Sequence, residues 1–212
     1  MTGRPATTAQ AQDGALESGG AGARVEVARA FAHLHADAVR VLGAWNAPDA
    51  SQERLRTAYL AHLERHPDGV AKAGPPEHLT ASCLVITPDG REVLLTHHRR
   101  ARAWFQFGGH LEATDAGLHP AATREGREES GIASLEVEPV VVQLDRHTLS
   151  GDFGRCRAHL DVRYAAVLDR TVVPATSEES LEVAWWPVDA LPADTRTELS
   201  ALVAATRRAL RL

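Results

Sequence analysis

The densest run of reactive side chains in the sequence is GGHLEATDAGLHPAATREGREESGI, residues 108–132. Glu125, Glu128 and Glu129 stand there at i, i+3 and i+4, so on a helix all three carboxylates project from one side. Like charges at this spacing weaken an isolated helix by a few tenths of a kcal/mol per pair, about 0.2–0.5. Either solvent screens them or a cation neutralises them. An all-oxygen donor set suits a hard divalent ion, Mg2+ or Mn2+, although spacing alone describes a solvated acidic face equally well. The flanks favour the ion. Arg124 lies four residues before Glu128 and can brace it, Gly108 and Gly109 let the preceding loop approach closely, and Gly131 stops the helix where a left-handed residue is the usual C-terminal cap.

Other segments carry secondary candidates. HHRRAR, His97 to Arg102, offers Arg99, Arg100 and Arg102 to a substrate's phosphates, or serves only as a solubilising loop. Trp104 and Phe105 can stack on a ring, with core packing expected for at least one of them. Glu112 is a weaker neighbour of the acidic cluster. In HLDVRY, strand alternation puts His159, Asp161 and Arg163 on one face and Leu160, Val162 and Tyr164 on the other. The apolar set faces a core; the polar set faces solvent, or lines a cleft together with Asp145 and His147 on the preceding strand.

These residues need positioning elements. Residues 1–23 have almost no large apolar side chains and read as a disordered tail. Phe31, Leu34, Ala38 and Leu42, and then Leu55, Tyr59 and Leu63, recur at helical spacing, giving two amphipathic helices in a 24–74 extension. Their apolar stripes predict packing against a neighbouring domain; covering a sheet, dimerising and lidding the cleft are all open roles. Pro67 to Glu77 reads as a connector into a domain over 75–212. LTASCLVITPDGREVLLTHH is a hairpin signature, AWFQFGGHL a strand entering the glycine pair, and Pro120 to Ser130 a helix. VVVQLD, AHLDVRYAAVL and LEVAWW read as further strands. Leu199, Leu202, Val203 and Leu210 form a closing helical stripe that Thr206 interrupts. The interleaving lacks the regular alternation of a doubly wound sheet and predicts a mixed α/β sandwich.

The acidic segment resembles the Nudix hydrolase box: Gly, five residues, Glu, seven residues, then Arg-Glu-aliphatic-x-Glu-Glu-x-Gly-aliphatic. Gly109 begins it, and Arg124, Glu125, Glu128, Glu129, Gly131 and Ile132 match its second half. The resemblance runs from about Leu79 to Leu191 and includes WWPVDAL. Three positions depart from the pattern: Asp115 replaces the first box Glu, Arg124 follows it after eight residues rather than seven, and Gly126 replaces the aliphatic residue. The resemblance implies an α/β/α sandwich with a mixed sheet, here with an added N-terminal helical segment. It also implies Mg2+- or Mn2+-dependent hydrolysis of a diphosphate in a small, often nucleoside-linked, phosphorylated substrate. By carry-over, Glu125, Glu128 and Glu129 are metal ligands, Arg124 orients them, and Glu125 also polarises the attacking water. Two rivals share the fold: a non-catalytic ligand-binding or sensor domain, and an isopentenyl-diphosphate isomerase-like enzyme for which Cys83, His97, His98 and His147 supply residue types.

The chain's bulk properties set limits. With 212 residues, 44% hydrophobic and 24% charged, it can bury a sizeable core. A formal net charge of −5 argues against broad nucleic-acid or anionic-membrane binding. No apolar run is long enough for a membrane span. Cys83 and Cys156 lack a framework spacing, which fits free thiols in the cytoplasm. Oligomeric state is open, with a homodimer among the options.

Overall fold

The computed structural model describes residues 22–149, 154–178, 180–195 and 197–212. The expected tail lies almost wholly outside these residues. Residues 22–30 are helical (α1), a turn at Phe31 follows, and the chain continues as α2, Ala32–Ala44. Pro48 closes a short connection, and Asp49 then caps α3, Ala50–Arg65, its carboxylate accepting the Ser51 and Gln52 N–H groups at 2.8 and 3.0 Å. Pro67 follows the C-terminal end of α3, where a residue without an N–H cannot continue the helix.

Seven strands follow in one mixed sheet: β1 Glu77–Ile86, β2 Glu92–His98, β3 Ala103–Phe105, β4 Phe107–His110, β5 Glu138–Thr148, β6 Ala158–Val167 and β7 Ser180–Pro187. The order is β3-β2-β1-β6-β5, with β4 also beside β1 and β7 beside β2. AWFQFGGHL is thus two short strands and not one. Its first part pairs with β2, and past Gln106 its second part pairs with β1, through Thr80↔His110 to Cys83↔Phe107. The parallel pair β1/β6 brings His78 opposite His159 and Thr80 opposite Asp161. Helices α4, Leu118–Ser130, and α5, Glu198–Leu210, complete the fold.

Alternation along β1 and β6 sorts the faces. Leu79, Ala81, Cys83 and Val85, with Leu160, Val162, Tyr164 and Ala166, join the core under α2, α3 and α4. On the other face, Leu84, Ile86 and Ala165 pack under Leu199, Leu202 and Val203 of α5. Toward the opposite end of that second face the residues turn polar: Thr80 and Ser82 on β1, Asp161 and Arg163 on β6. This polar end is where the cleft opens.

The N-terminal helices cover the sheet. Leu34, Ala38, Leu42, Tyr59 and Leu63 are fully buried in the same cluster as Leu79 and Val162. They also dock on the backbone of β5, the strand at the end of the sheet order. Trp45 Nε1 donates to the Val141 carbonyl at 2.8 Å, and the Tyr59 hydroxyl donates to the Asp145 carbonyl at 2.7 Å. The Gln52 amide donates to the Leu144 carbonyl at 3.1 Å and accepts its N–H at 2.7 Å. Side chains here supply the partners that a further strand would give, which closes an edge otherwise open to pairing.

Candidate active site

Helix α4 carries the acidic cluster, and α2 helps to fix where it begins. The Leu118 N–H, unpaired within its own first turn, donates to Asp37 of α2 at 2.8 Å, and His33 bonds the Asp115 carbonyl at 2.8 Å. At the other end Gly131 adopts the left-handed conformation, φ 68°, so the helix stops one residue after Ser130. The buried side of α4 includes Ala121, Ala122 and Gly126. A Cβ on Gly126 would lie 2.8 Å from both Cys83 Sγ and Leu135 Cδ2. The departure from an aliphatic residue therefore matches the packing: the buried Cys83 and Leu135 side chains fill the space that a side chain at this position would need.

The three glutamates reach the cleft around β4. The Glu125 carboxylate lies directly over Gly109, where a Cβ would sit 2.6 Å from Oε1. Glu129 is 7% exposed and accepts the Gly108 N–H at 2.9 Å. Glu128 projects outward, its side chain 60% exposed. Gly109 therefore makes room for a carboxylate, whereas a Cβ on Gly108 would meet β1, 2.3 Å from Ser82 Cβ.

Arg124 is the hub. Its guanidinium meets Glu125 at 3.0 Å, Glu128 at 3.1 Å and the His110 carbonyl at 3.0 Å. It grips Asp115 through two bonds of 2.8 and 3.0 Å. These acidic partners hold the guanidinium firmly protonated, with the Asp115 hydrogen bonds the largest cause. Asp115, 6% exposed, also accepts the Glu112 N–H at 2.8 Å. The acid at the first box position thus braces Arg124, and the five-residue segment between Gly109 and Asp115 ends in a turn closed by Asp115 N–H to the Glu112 carbonyl at 3.0 Å. Glu112 is more distant, 3.9 Å from Arg124.

The carboxylates do not form a closed cage. Among the described residues, the His/Cys/Asp/Glu group whose donor atoms all lie within 4.8 Å of one another is instead His78, His110, Cys156 and His159. The acidic cluster nevertheless fits a hard cation by donor chemistry and by charge. The metal-ligating side chains that α4 turns to the cleft are carboxylates, and one arginine, Arg124, lies within 4 Å of four acids, Glu112, Asp115, Glu125 and Glu128.

The cleft, ≈ 900 Å³, is lined by Arg124, Glu125, Glu128 and Glu129 on one side and by His147, His159, Asp161 and Arg163 on another. The polar face of β6 is therefore a buried wall and not a solvent face: Asp161 is 3% and Arg163 2% exposed. Asp161 accepts from Thr80 at 3.1 Å, Ser82 at 2.7 Å and Arg163 Nε at 3.0 Å. Arg163 also donates to Gln143 at 2.9 Å and to Asp145 at 3.0 Å, and Asp145 meets His147 Nδ1 at 3.1 Å. Asp145, Asp161 and Arg163 thus satisfy one another and their neighbours, as a buried network requires, whereas His159 Nε2 has no hydrogen-bond partner among the described residues. Burial pushes His110 down to about 3 and His159 to about 4, with neighbouring histidines adding to both shifts, so both rings are neutral near pH 7.

The basic loop is divided. Arg99 and Arg100 line the cleft, with Arg99 donating to the Glu178 and Ser180 carbonyls at 3.1 and 3.2 Å. Arg102 is exposed and does not line it. Trp104, 6% exposed, packs against His97 and Trp186, and it lines the cleft together with Phe105 and Lys72. Sequence reasoning missed Lys72, Thr80, Ser82 and Gln143. For Thr80 and Ser82 a signal existed: small polar residues at alternate positions of an otherwise apolar strand. Cys83 is fully buried under α4, where burial pushes its thiol far up, and it does not line the cleft. That removes the cysteine an isomerase-like reaction would use.

Comparison with known proteins agrees with this geometry. The sequence profile described as NUDIX domain matches residues 76–206. The chain belongs to the Nudix family and is a hydrolase acting on phosphoric anhydride bonds. No curated protein sequence matches it. Among solved structures, it is similar to the dihydroneopterin triphosphate pyrophosphohydrolase of E. coli, with a TM-score of 0.51 and 17% identity over 59% of this chain and 91% of that one. It is also similar to an Ap4A hydrolase of C. elegans, solved as a binary complex, with a TM-score of 0.50 and 18% identity over 63% of this chain and 97% of that one. At such identities these likenesses concern the fold alone. The profile leaves α1 to α3 outside.

Proposed function

We propose that this chain is a Mg2+- or Mn2+-dependent hydrolase that cleaves a diphosphate linkage in a small phosphorylated substrate of the nucleoside diphosphate type. The observation that carries the reading is the Arg124-centred cluster, with Glu125, Glu128 and Glu129 facing a cleft that also holds Arg99, Arg100 and Phe105. In this reading residues 75–212 are the catalytic unit and 24–74 an extension that completes its core. Two buried free thiols suit a cytoplasmic enzyme.

Glu128 and Glu129 would hold the divalent ion, which when bound neutralises phosphate oxygens and acidifies water. Glu125, its carboxylate fixed between Gly109 and Arg124, accepts the proton of the attacking water. Water attacks one phosphorus, the bridging P–O bond breaks, and the departing phosphate leaves with the electron pair. Arg99 and Arg100 steer the substrate's remaining anionic oxygens, and Phe105 offers a face to an attached ring. His147, His159, Asp161 and Arg163 form the opposite wall. Because Arg163 is committed to three side-chain partners, its role is to keep that wall rigid.

The test is a panel of nucleoside diphosphate sugars, nucleoside triphosphates, dinucleotides and coenzyme A, incubated with Mg2+ or Mn2+ and followed by 31P NMR. Metal-dependent appearance of two phosphorylated products supports the proposal and identifies the class. Tight ligand binding with no turnover of any compound would favour the sensor reading.

A further inference from the structure

A second cluster of donor side chains lies at the end of the cleft, distinct from the acidic box. His78 at the start of β1, His110 at the end of β4, His159 on β6 and Cys156 just before β6 place one ligand atom each within 4.8 Å of all the others. Cys156 Sγ is 3.8 Å from His78 Nε2 and 4.0 Å from His110 Nε2. We propose that these four residues bind a zinc ion, in a closed site separate from the hydrolytic metal and structural in purpose.

The donor set selects the metal. One thiolate and three imidazoles suit Zn2+ and disfavour Mg2+, which prefers oxygen. Tetrahedral zinc, with Zn–N of about 2.0–2.1 Å and Zn–S of about 2.3 Å, sets its ligand atoms about 3.3–3.6 Å apart. The Cys156–histidine pairs at 3.8 and 4.0 Å therefore need to close by only a few tenths of an ångström, about 0.2–0.5 Å, and any pair at the 4.8 Å limit by about 1 Å. Its orientation is already set. His78 Nδ1 lies 3.0 Å from the Pro75 carbonyl, which can only accept. Nδ1 must therefore carry the proton, and Nε2 presents its lone pair toward Cys156, the backing interaction that zinc-bound histidines use. His159 Nε2 is buried with no hydrogen-bond partner. Backbone pairing supports the arrangement: His78 and His159 are register partners in β1/β6, and the Arg157 N–H binds the Pro76 carbonyl at 2.8 Å beside Cys156.

Four protein ligands leave no open position for water, as in structural zinc sites. Such an ion would tie β1, β4 and β6 together where the His110 carbonyl receives Arg124, and so steady one support of the acidic cluster.

The test uses the full chain stripped with a chelator and titrated with Co2+, then Zn2+. One equivalent of Co2+ should give the intense visible bands of a tetrahedral ion and a near-ultraviolet thiolate charge-transfer band, both erased by one equivalent of Zn2+. Cys156→Ser should lose the thiolate band, Glu128→Gln should keep it, and zinc should raise the wild-type thermal midpoint. A weak octahedral Co2+ spectrum without a thiolate band in the wild type would overturn the proposal, whatever the folding of the variant. So would zinc binding by Cys156→Ser as tight as that of the wild type.

Discussion

At the scale of single residues, the departures of this chain from the Nudix pattern have physical causes that only the assembled structure reveals. Gly126 exposes the difference. As an isolated helix position it costs about 1 kcal/mol against Ala, but here a Cβ would stand 2.8 Å from two core atoms, and overpacking of that kind costs about 1–3 kcal/mol. Crowding outweighs propensity. Gly126→Ala is therefore expected to lower stability by about 1 kcal/mol net, and Cys83→Ala in the same chain to restore part of it, as read by denaturant unfolding. A single variant more stable than wild type would show that the core yields freely. Asp115 teaches the same lesson at the box's entrance. Its residue type was visible in the sequence, but its bidentate grip on Arg124 depends on a turn that spacing does not encode. Glu125, Glu128 and Glu129 were legible because an α-helix makes i, i+3 and i+4 coincide on one side whatever surrounds it.

At the scale of elements, local periodicity located α3, α4, α5 and most strands, since each buries one face against a common core. It placed AWFQFGGHL as one strand, because the exchange of partners at Gln106 is a tertiary event. It also left open whether the polar side of β6 met solvent or the cleft; the answer came from the neighbours that the sheet order supplies, Thr80 and Ser82 on β1 and Gln143 on β5. The N-terminal helices follow the same logic. Leu34, Leu42 and Leu63 are fully buried in the main cluster, and the loss of even one such side chain costs about 2–5 kcal/mol. A chain truncated to residues 67–212 is expected to be insoluble or to lack a cooperative thermal transition. A soluble truncated chain that unfolds cooperatively, with only KM or kcat altered, would make the helices a lid instead. Helix α3 also carries a pH dependence. Burial lowers His62 from 6.5 to about 4, so as the pH falls through that interval the unfolded chain takes up a proton that the folded chain refuses. Stability should hold above about pH 6.5 and fall toward pH 4, with this group contributing up to about 3 kcal/mol. His62→Gln should flatten that part of the profile of thermal midpoint against pH, and an unchanged slope would assign the loss to other groups.

At the scale of the whole molecule, the chain concentrates its charge where chemistry needs it. A net charge of −5 is modest for 212 residues, yet several carboxylates crowd one arginine at one end of the sheet, across a cleft from Arg99 and Arg100. An acidic cluster facing basic side chains is an arrangement for holding a cation against an anion. No helix among the described residues is long and apolar enough to cross a membrane. The most direct test of the central claim is the rate of diphosphate hydrolysis with and without Mg2+, in the wild type and in Glu128→Gln, a change at the most exposed of the three glutamates. Hydrolysis that requires the metal and falls on the order of a hundredfold or more in the variant, with its thermal midpoint unchanged, is the predicted result. Equal rates in the two proteins, or wild-type turnover indifferent to Mg2+ and Mn2+, would contradict the assignment of the acidic cluster as the hydrolytic site.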